Sequence, residues 1–96
     1  MFIPNYKYYG DRGYVMTGCI DYKRITNLHV SMARKNTFEV RAFLENNTDG
    51  KVIFQGSNEE CTKYLEAFIS VGGQTEDYET FKELVEAKVS GESQSE

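Results

Sequence analysis

Residues 37–73 constrain the fold of this chain more tightly than any other stretch, because they spell out a hairpin and a capped helix in order. From Thr37 to Glu45 apolar and polar side chains alternate, which is the pattern of a half-buried strand. Asn46-Asn47-Thr48-Asp49-Gly50 supplies turn chemistry, and Lys51 to Gln55 returns as a second strand before Gly56 interrupts it. Ser57 stands three residues before Glu60, the spacing at which a hydroxyl and a carboxylate satisfy each other's free amides at a helix start. Cys61, Tyr64, Leu65, Phe68 and Ile69 then share one helical face, and Gly72-Gly73 ends the helix. Phe38, Val40, Ala42 and Leu44 are expected to face the core with Val52 and Phe54 opposite them. Phe43 and Ile53 fall on the other face, where they predict an apolar patch that wants covering, by a second copy of the chain among other options.

Upstream, Pro4 cannot donate to a ladder, so a strand in the aromatic segment Phe2–Tyr9 begins after it and lies at an edge. Tyr14–Ile20 reads as a strand weakened at Gly18, and Ile25–Met32 as another, with Leu28, Val30 and Met32 on one side and Asn27, His29 and Ser31 on the other. Short connections favour an antiparallel meander. A second helix is expected over about Glu76 to Lys88, capped by Thr75 or Asp77, with Tyr78, Phe81, Leu84 and Val85 as its apolar stripe. The expected fold is therefore α+β: a four-stranded, mostly antiparallel sheet followed by two C-terminal helices, one packed on the sheet. Residues 1–89 form one domain and residues 90–96 a loose polar tail.

Ninety-six residues, 40% hydrophobic and 14% aromatic, suffice for one core. No apolar run approaches the roughly eighteen residues that a membrane helix needs, and no leader pattern opens the chain, so a cytoplasmic protein without a membrane partner is expected. Cys19 and Cys61 both sit in apolar patterns and read as buried free thiols.

Catalytic and cofactor chemistry finds no foothold. His29 sits on the polar side of its strand and reads as solvent-facing. No nucleophile–base spacing, phosphate-cradling glycine loop or metal-ligand spacing is present, so no enzyme, cofactor or metal is expected.

Charge is the stronger clue. The net −4 divides unevenly: residues 1–41 carry seven basic and three acidic side chains, +4, and residues 42–96 carry four basic and twelve acidic ones, −8. Such asymmetry either cancels inside one small fold or marks polar partners. The acids Glu76, Asp77, Glu79, Glu83 and Glu86 of the second helix could occupy a basic groove of another protein. At the other end, Tyr6, Tyr8, Tyr9 and Tyr14 interleave with Arg12, Lys23 and Arg24, the combination of rings and cations with which sheets hold single-stranded nucleic acid. Tyrosine and arginine are equally the side chains enriched at protein–protein hot spots. The leading expectation is a non-enzymatic module that binds another protein, with nucleic-acid binding as the alternative.

The block Phe38–Ile69 resembles short uncharacterised proteins of phages and Gram-positive bacteria, through its strand, Asp49-Gly50 turn, second strand and Ser-x-x-Glu helix start leading to Tyr64-Leu65. That resemblance implies a compact sheet-and-helix module from a mobile element, some of which inhibit host enzymes or host defence by stoichiometric binding. It carries no site residues with it.

Overall fold

A computed structural model describes residues 1–45 and 49–91. The chain is α+β, with five strands where four were expected: β1 (Phe2–Tyr8), β2 (Tyr14–Asp21), β3 (Ile25–Arg34), β4 (Thr37–Leu44) and β5 (Lys51–Gly56), then α1 (Asn58–Val71) and α2 (Tyr78–Gly91). They form one antiparallel sheet in the order β2-β1-β5-β4-β3. The strand expected after Pro4 is β1: it begins before the proline, at Phe2, and lies inside the sheet and not at its edge. Pro4 is tolerated there because β1 meets β5 at only one ladder pair, Tyr6 with Val52, so the segment around Pro4 has a hydrogen-bonded neighbour on one side alone.

This order forces the sheet to curl. Strands β2 and β3 are opposite edges, yet only the 3₁₀ turn Tyr22–Arg24 joins them. Five flat strands would hold those edges about 19 Å apart, whereas four Cα steps reach at most about 15 Å. The sheet must therefore bend until the edges approach at that end. Tyr22 plugs the gap, its ring 5.5 Å from Phe68 and 5.8 Å from Phe81. Its hydroxyl lies so close to Gly72 that any Cβ there would collide with it.

As expected, one helix packs on the sheet: α1 lies against β3, β4 and β5, and α2 packs on α1 and closes the same core. Ile3, Ile20, Val40, Ala42 and Ile53 meet Cys61, Ala67, Phe68 and Val71 of α1 and Phe81 and Val85 of α2 in a single core, with Phe38, Leu44 and Phe54 packed against it. The capping box forms: Ser57 accepts from the Glu60 amide at 3.1 Å, and Glu60 accepts from the Ser57 amide at 2.9 Å. Asp77 caps α2, accepting from the Thr80 amide at 3.0 Å and its hydroxyl at 2.8 Å. Glu76 and Asp77 thus precede the helix, which continues through Ser90 and Gly91, two residues assigned to the tail from sequence. The rest of that expected tail, residues 92–96, and turn residues Asn46, Asn47 and Thr48 lie outside the described residues.

Three burial expectations change, each for a local reason. Register slips between Val40 and Arg41, so β5 carries a bulge at Ile53. Ile53 consequently turns into the core beside Phe54, which stacks on Tyr64 at 4.2 Å, while Val52 points to the far face. Without Ile53, and with Phe43 half-buried edge-on to His29 at 5.4 Å, the predicted apolar patch does not form, and with it goes the reason to invoke a second copy there. On α1 the buried stripe turns towards α2 through Ala67 and Val71, leaving Ile69 63% exposed; Leu84 of α2 is exposed as well. Cys61 is buried as expected, but Cys19 sits on the exposed run Met16–Cys19 of edge strand β2.

Candidate functional site

The sheet face away from the helices carries an unusual group for so small a protein. Glu39, in the middle of β4, is only 3% exposed, and a carboxylate so deeply buried must be bonded to be tolerated. Arg41, two residues on and therefore on the same face, donates from Nε at 3.0 Å and from Nη2 at 2.8 Å. Tyr14 of β2 donates its hydroxyl to the other carboxylate oxygen at 2.6 Å. This short bond crosses from an edge strand to β4, three strands away in the sheet order, and exists only because the β1–β2 hairpin bends over the sheet. Burial, then the bond to Glu39, pushes the Tyr14 phenol above its ordinary range.

A second layer lies over the first. The Arg34 guanidinium, at the end of β3, sits 3.6 Å from the Tyr8 ring centroid and 5.4 Å from that of Tyr14. Tyr8 and Tyr14 are themselves 5.2 Å apart at 50°. Turn geometry brings Arg34 there: Asn36 takes the left-handed φ of 64° that closes β3 onto β4. Beyond it, Lys7 and Arg12 flank the Tyr9 ring at 5.8 and 5.6 Å. Below the cluster a polar hollow of about 400 Å³ is lined by Asn5, Thr17, Glu39, Arg41 and Lys51. Gly50 completes its wall: Arg41 Nη1 donates to the Gly50 carbonyl at 3.2 Å, and a Cβ on Gly50 would strike Phe43 and Arg41.

Of the ring-and-cation set read from sequence, Tyr8, Tyr9, Arg12 and Tyr14 come together. Tyr6 lines both the hollow below them and a recess under α2, and Lys23 and Arg24 stand in the β2–β3 turn, where Lys23 pairs with Glu76 at 3.8 Å. The sequence reading missed Arg34, Glu39 and Arg41. A charged pair at i and i+2 inside the strand Phe38–Leu44 was the available signal, since a strand interior seldom places two charges on one face without bonding them.

The acids in and just before α2 behave differently. Glu76, Asp77, Glu79, Glu83 and Glu86 are all exposed. Among the described residues Glu79, Glu83 and Glu86 make no ion pair, and the one bridge from this set to the basic half is the exposed Lys23–Glu76 contact. The two charged halves therefore do not cancel; they form a basic aromatic face and an acidic helical one. Among the described residues no three His, Cys, Asp or Glu side chains gather as a metal site, and no helix is long and apolar enough to cross a membrane. No protein-family model, curated protein or solved structure matches the chain.

Proposed function

We propose that this chain is a non-enzymatic binding module that engages another protein, one to one, through the sheet face carrying Tyr8, Tyr9, Tyr14 and Arg34. The observation that carries this reading is the Tyr8–Tyr14–Arg34 stack anchored on the buried Glu39–Arg41 pair. Anchoring matters because a rigid aromatic and arginine surface loses little conformational freedom on binding, and these are the residue types that dominate contact energies. Tyr8 and Tyr9 remain 40% and 42% exposed, leaving ring area to bury. The unpaired acids of α2 give the opposite side a field that biases approach, and they are a second surface for a partner with a basic site. A small inhibitor from a mobile element would act in this way, by occupying its target.

A protein partner is favoured over single-stranded nucleic acid because the groups that would serve the latter are already engaged. Arg34 covers the Tyr8 ring on which a base would stack, and Glu39 neutralises Arg41. One corner supports the nucleic-acid reading: Tyr9, exposed and flanked by Lys7 and Arg12. Capture from a host-type lysate with and without nuclease separates the two. One dominant protein that survives nuclease, and is lost with Tyr8→Ala plus Tyr9→Ala, is the expected result. Recovery that disappears with nuclease would transfer the function to nucleic acid.

A further inference from the structure

Strand β3 ends the sheet on one side, so one row of its backbone amides and carbonyls has no neighbouring strand among the described residues. Leu28 shows which row. Its amide donates not across to β4 but to Oδ1 of its own neighbour Asn27, at 2.9 Å, and therefore faces the open edge. Alternation along an antiparallel strand turns the backbone groups of Val30 and Met32 the same way. The ladder with β4 slips between Ile25 and Asn27 and again between Met32 and Arg34. Between those slips residues 27–32 keep one register, the part of the edge on which a further strand can pair.

Beside that edge runs a groove of about 480 Å³ between β3 and α1. Its walls include Ile25, Leu28, Leu65, Phe68 and Ile69, none of them part of the contact face described above, and Ile69 is 63% exposed. A strand laid on β3 would meet apolar side chains on the face that Leu28 and Val30 share, and polar ones on the face of His29. The charge along the edge has one sign. Segment 23–35 carries Lys23, Arg24, Arg34 and Lys35, with His29 between them, and no acid. Nearby acids do not offset it: Glu76 meets only Lys23, at 3.8 Å, Glu39 is bound to Arg41, and Glu45 makes no ion pair among the described residues. A second copy of the chain would set this basic edge against itself, whereas an acidic strand complements it.

We propose that the open edge of β3 beside α1 takes up an extended segment of another protein by strand addition, with aliphatic residues facing α1 and alternating with acidic ones that face His29. This contact is separate from the Tyr8–Tyr14–Arg34 face and stands or falls without it. The probe is a capped heptapeptide alternating glutamate and valine, titrated into the ¹⁵N-labelled full chain and followed by NMR at neutral pH. Saturable shifts should run along residues 25–32 and reach Leu65 and Ile69. Two further peptides are N-methylated, one at the valine amides and one at the glutamate amides. One of them should bind at least about fivefold more weakly, having lost its hydrogen bonds to β3, and the other should bind like the parent. A lysine-for-glutamate peptide should bind more weakly than the parent, and so should the parent to Ile69→Glu, a change at an exposed helix position. Asn27→Ala removes the acceptor that competes for the Leu28 amide and should bind the peptide as tightly or more tightly. Equal tolerance of both N-methylated forms, a preference for the lysine peptide, weaker binding to Asn27→Ala or full binding to Ile69→Glu would overturn the proposal. So would shifts centred away from β3, or no saturation up to about 1 mM. The same shifts on concentrating the chain alone would put a second copy at the edge and overturn it too.

Discussion

Tyr14→Phe removes a single oxygen and tests whether the bent hairpin is held down by chemistry or only by packing. The lost bond joins a phenol to a buried carboxylate at 2.6 Å, within the short range of charge-assisted O–H···O⁻ contacts. Hydrogen bonds to charged groups contribute about 1.5–3 kcal/mol. Two features of the site set the expected loss at the lower end. Tyr14 is half-buried, so water can partly replace it, and Glu39 keeps Arg41 at 2.8 and 3.0 Å and is not orphaned. The expected cost is about 1–2 kcal/mol, below the roughly 3–5 kcal/mol of a buried pair broken outright. Urea denaturation at pH 7 with an unchanged m-value reads it directly. Glu39→Gln supplies the control, because Tyr14→Phe should lose most of its effect in that background, leaving a coupling of about 1 kcal/mol. The pH dependence has a definite sign. The Tyr14 phenol titrates above its ordinary range in the folded chain, so its contribution is complete below the ordinary tyrosine pKa and fades as pH rises through the raised one. Wild type and Tyr14→Phe should therefore converge in strong alkali. A loss below about 0.3 kcal/mol, or single losses that simply add in the double variant, would show that the Tyr14–Glu39 bond does not hold the hairpin down.

Other consequences are open to equally direct checks. Phe68, 2% exposed and surrounded by Tyr22, Tyr64 and Phe81, should cost about 3–5 kcal/mol when truncated to Ala; a loss under about 1 kcal/mol would mean α1 does not face the core. Thr80 holds the Asp77 carboxyl below the usual range, so its cap contributes fully above the ordinary aspartate pKa and is lost as pH falls through the lowered one. Acid unfolding should accordingly be steeper for wild type than for Asp77→Asn, which caps without titrating, and equal slopes would contradict this. A thiol reagent should label Cys19 in the native chain and Cys61 only after unfolding, since burial removes Cys61 from solvent and pushes its thiol up; two rapidly labelled thiols would be incompatible with the core.

What the sequence discloses and what it hides divide along a physical line. The capping box at Ser57–Glu60, the stop at Gly72-Gly73 and the strand Thr37–Leu44 depend on residues a few positions apart, and periodicity or cap chemistry reveals them. The bulge at Ile53 leaves no trace in composition, and it inverts the faces of Val52 and Ile53. The site is hidden for a related reason. Tyr14 and Glu39 are twenty-five residues apart, and only the curl imposed by a three-residue link between opposite edges brings them together. Tyr8, Tyr9, Arg12 and Tyr14 were readable because one hairpin carries them all. Arg34, Glu39 and Arg41, on the other hairpin, were not. The helices show the reverse case: the acids of α2 were assigned correctly to an exposed surface, and it took the structure to show that the basic half does not neutralise them.

We propose that the basic aromatic face of the sheet meets a protein. The most direct test takes the partner recovered by capture and measures its affinity by calorimetry for three chains: wild type, Tyr8→Ala with Tyr9→Ala, and Glu76→Lys with Glu79→Lys and Glu83→Lys. One-to-one binding is expected, in which the tyrosine pair costs at least about 2 kcal/mol, roughly thirty-fold, as hot-spot residues do. Charge reversal on α2 should cost less and act mainly through a salt-sensitive association rate. Unchanged affinity of the tyrosine variant, with binding abolished by the reversal, would contradict the claim and move the contact surface to the acidic helix.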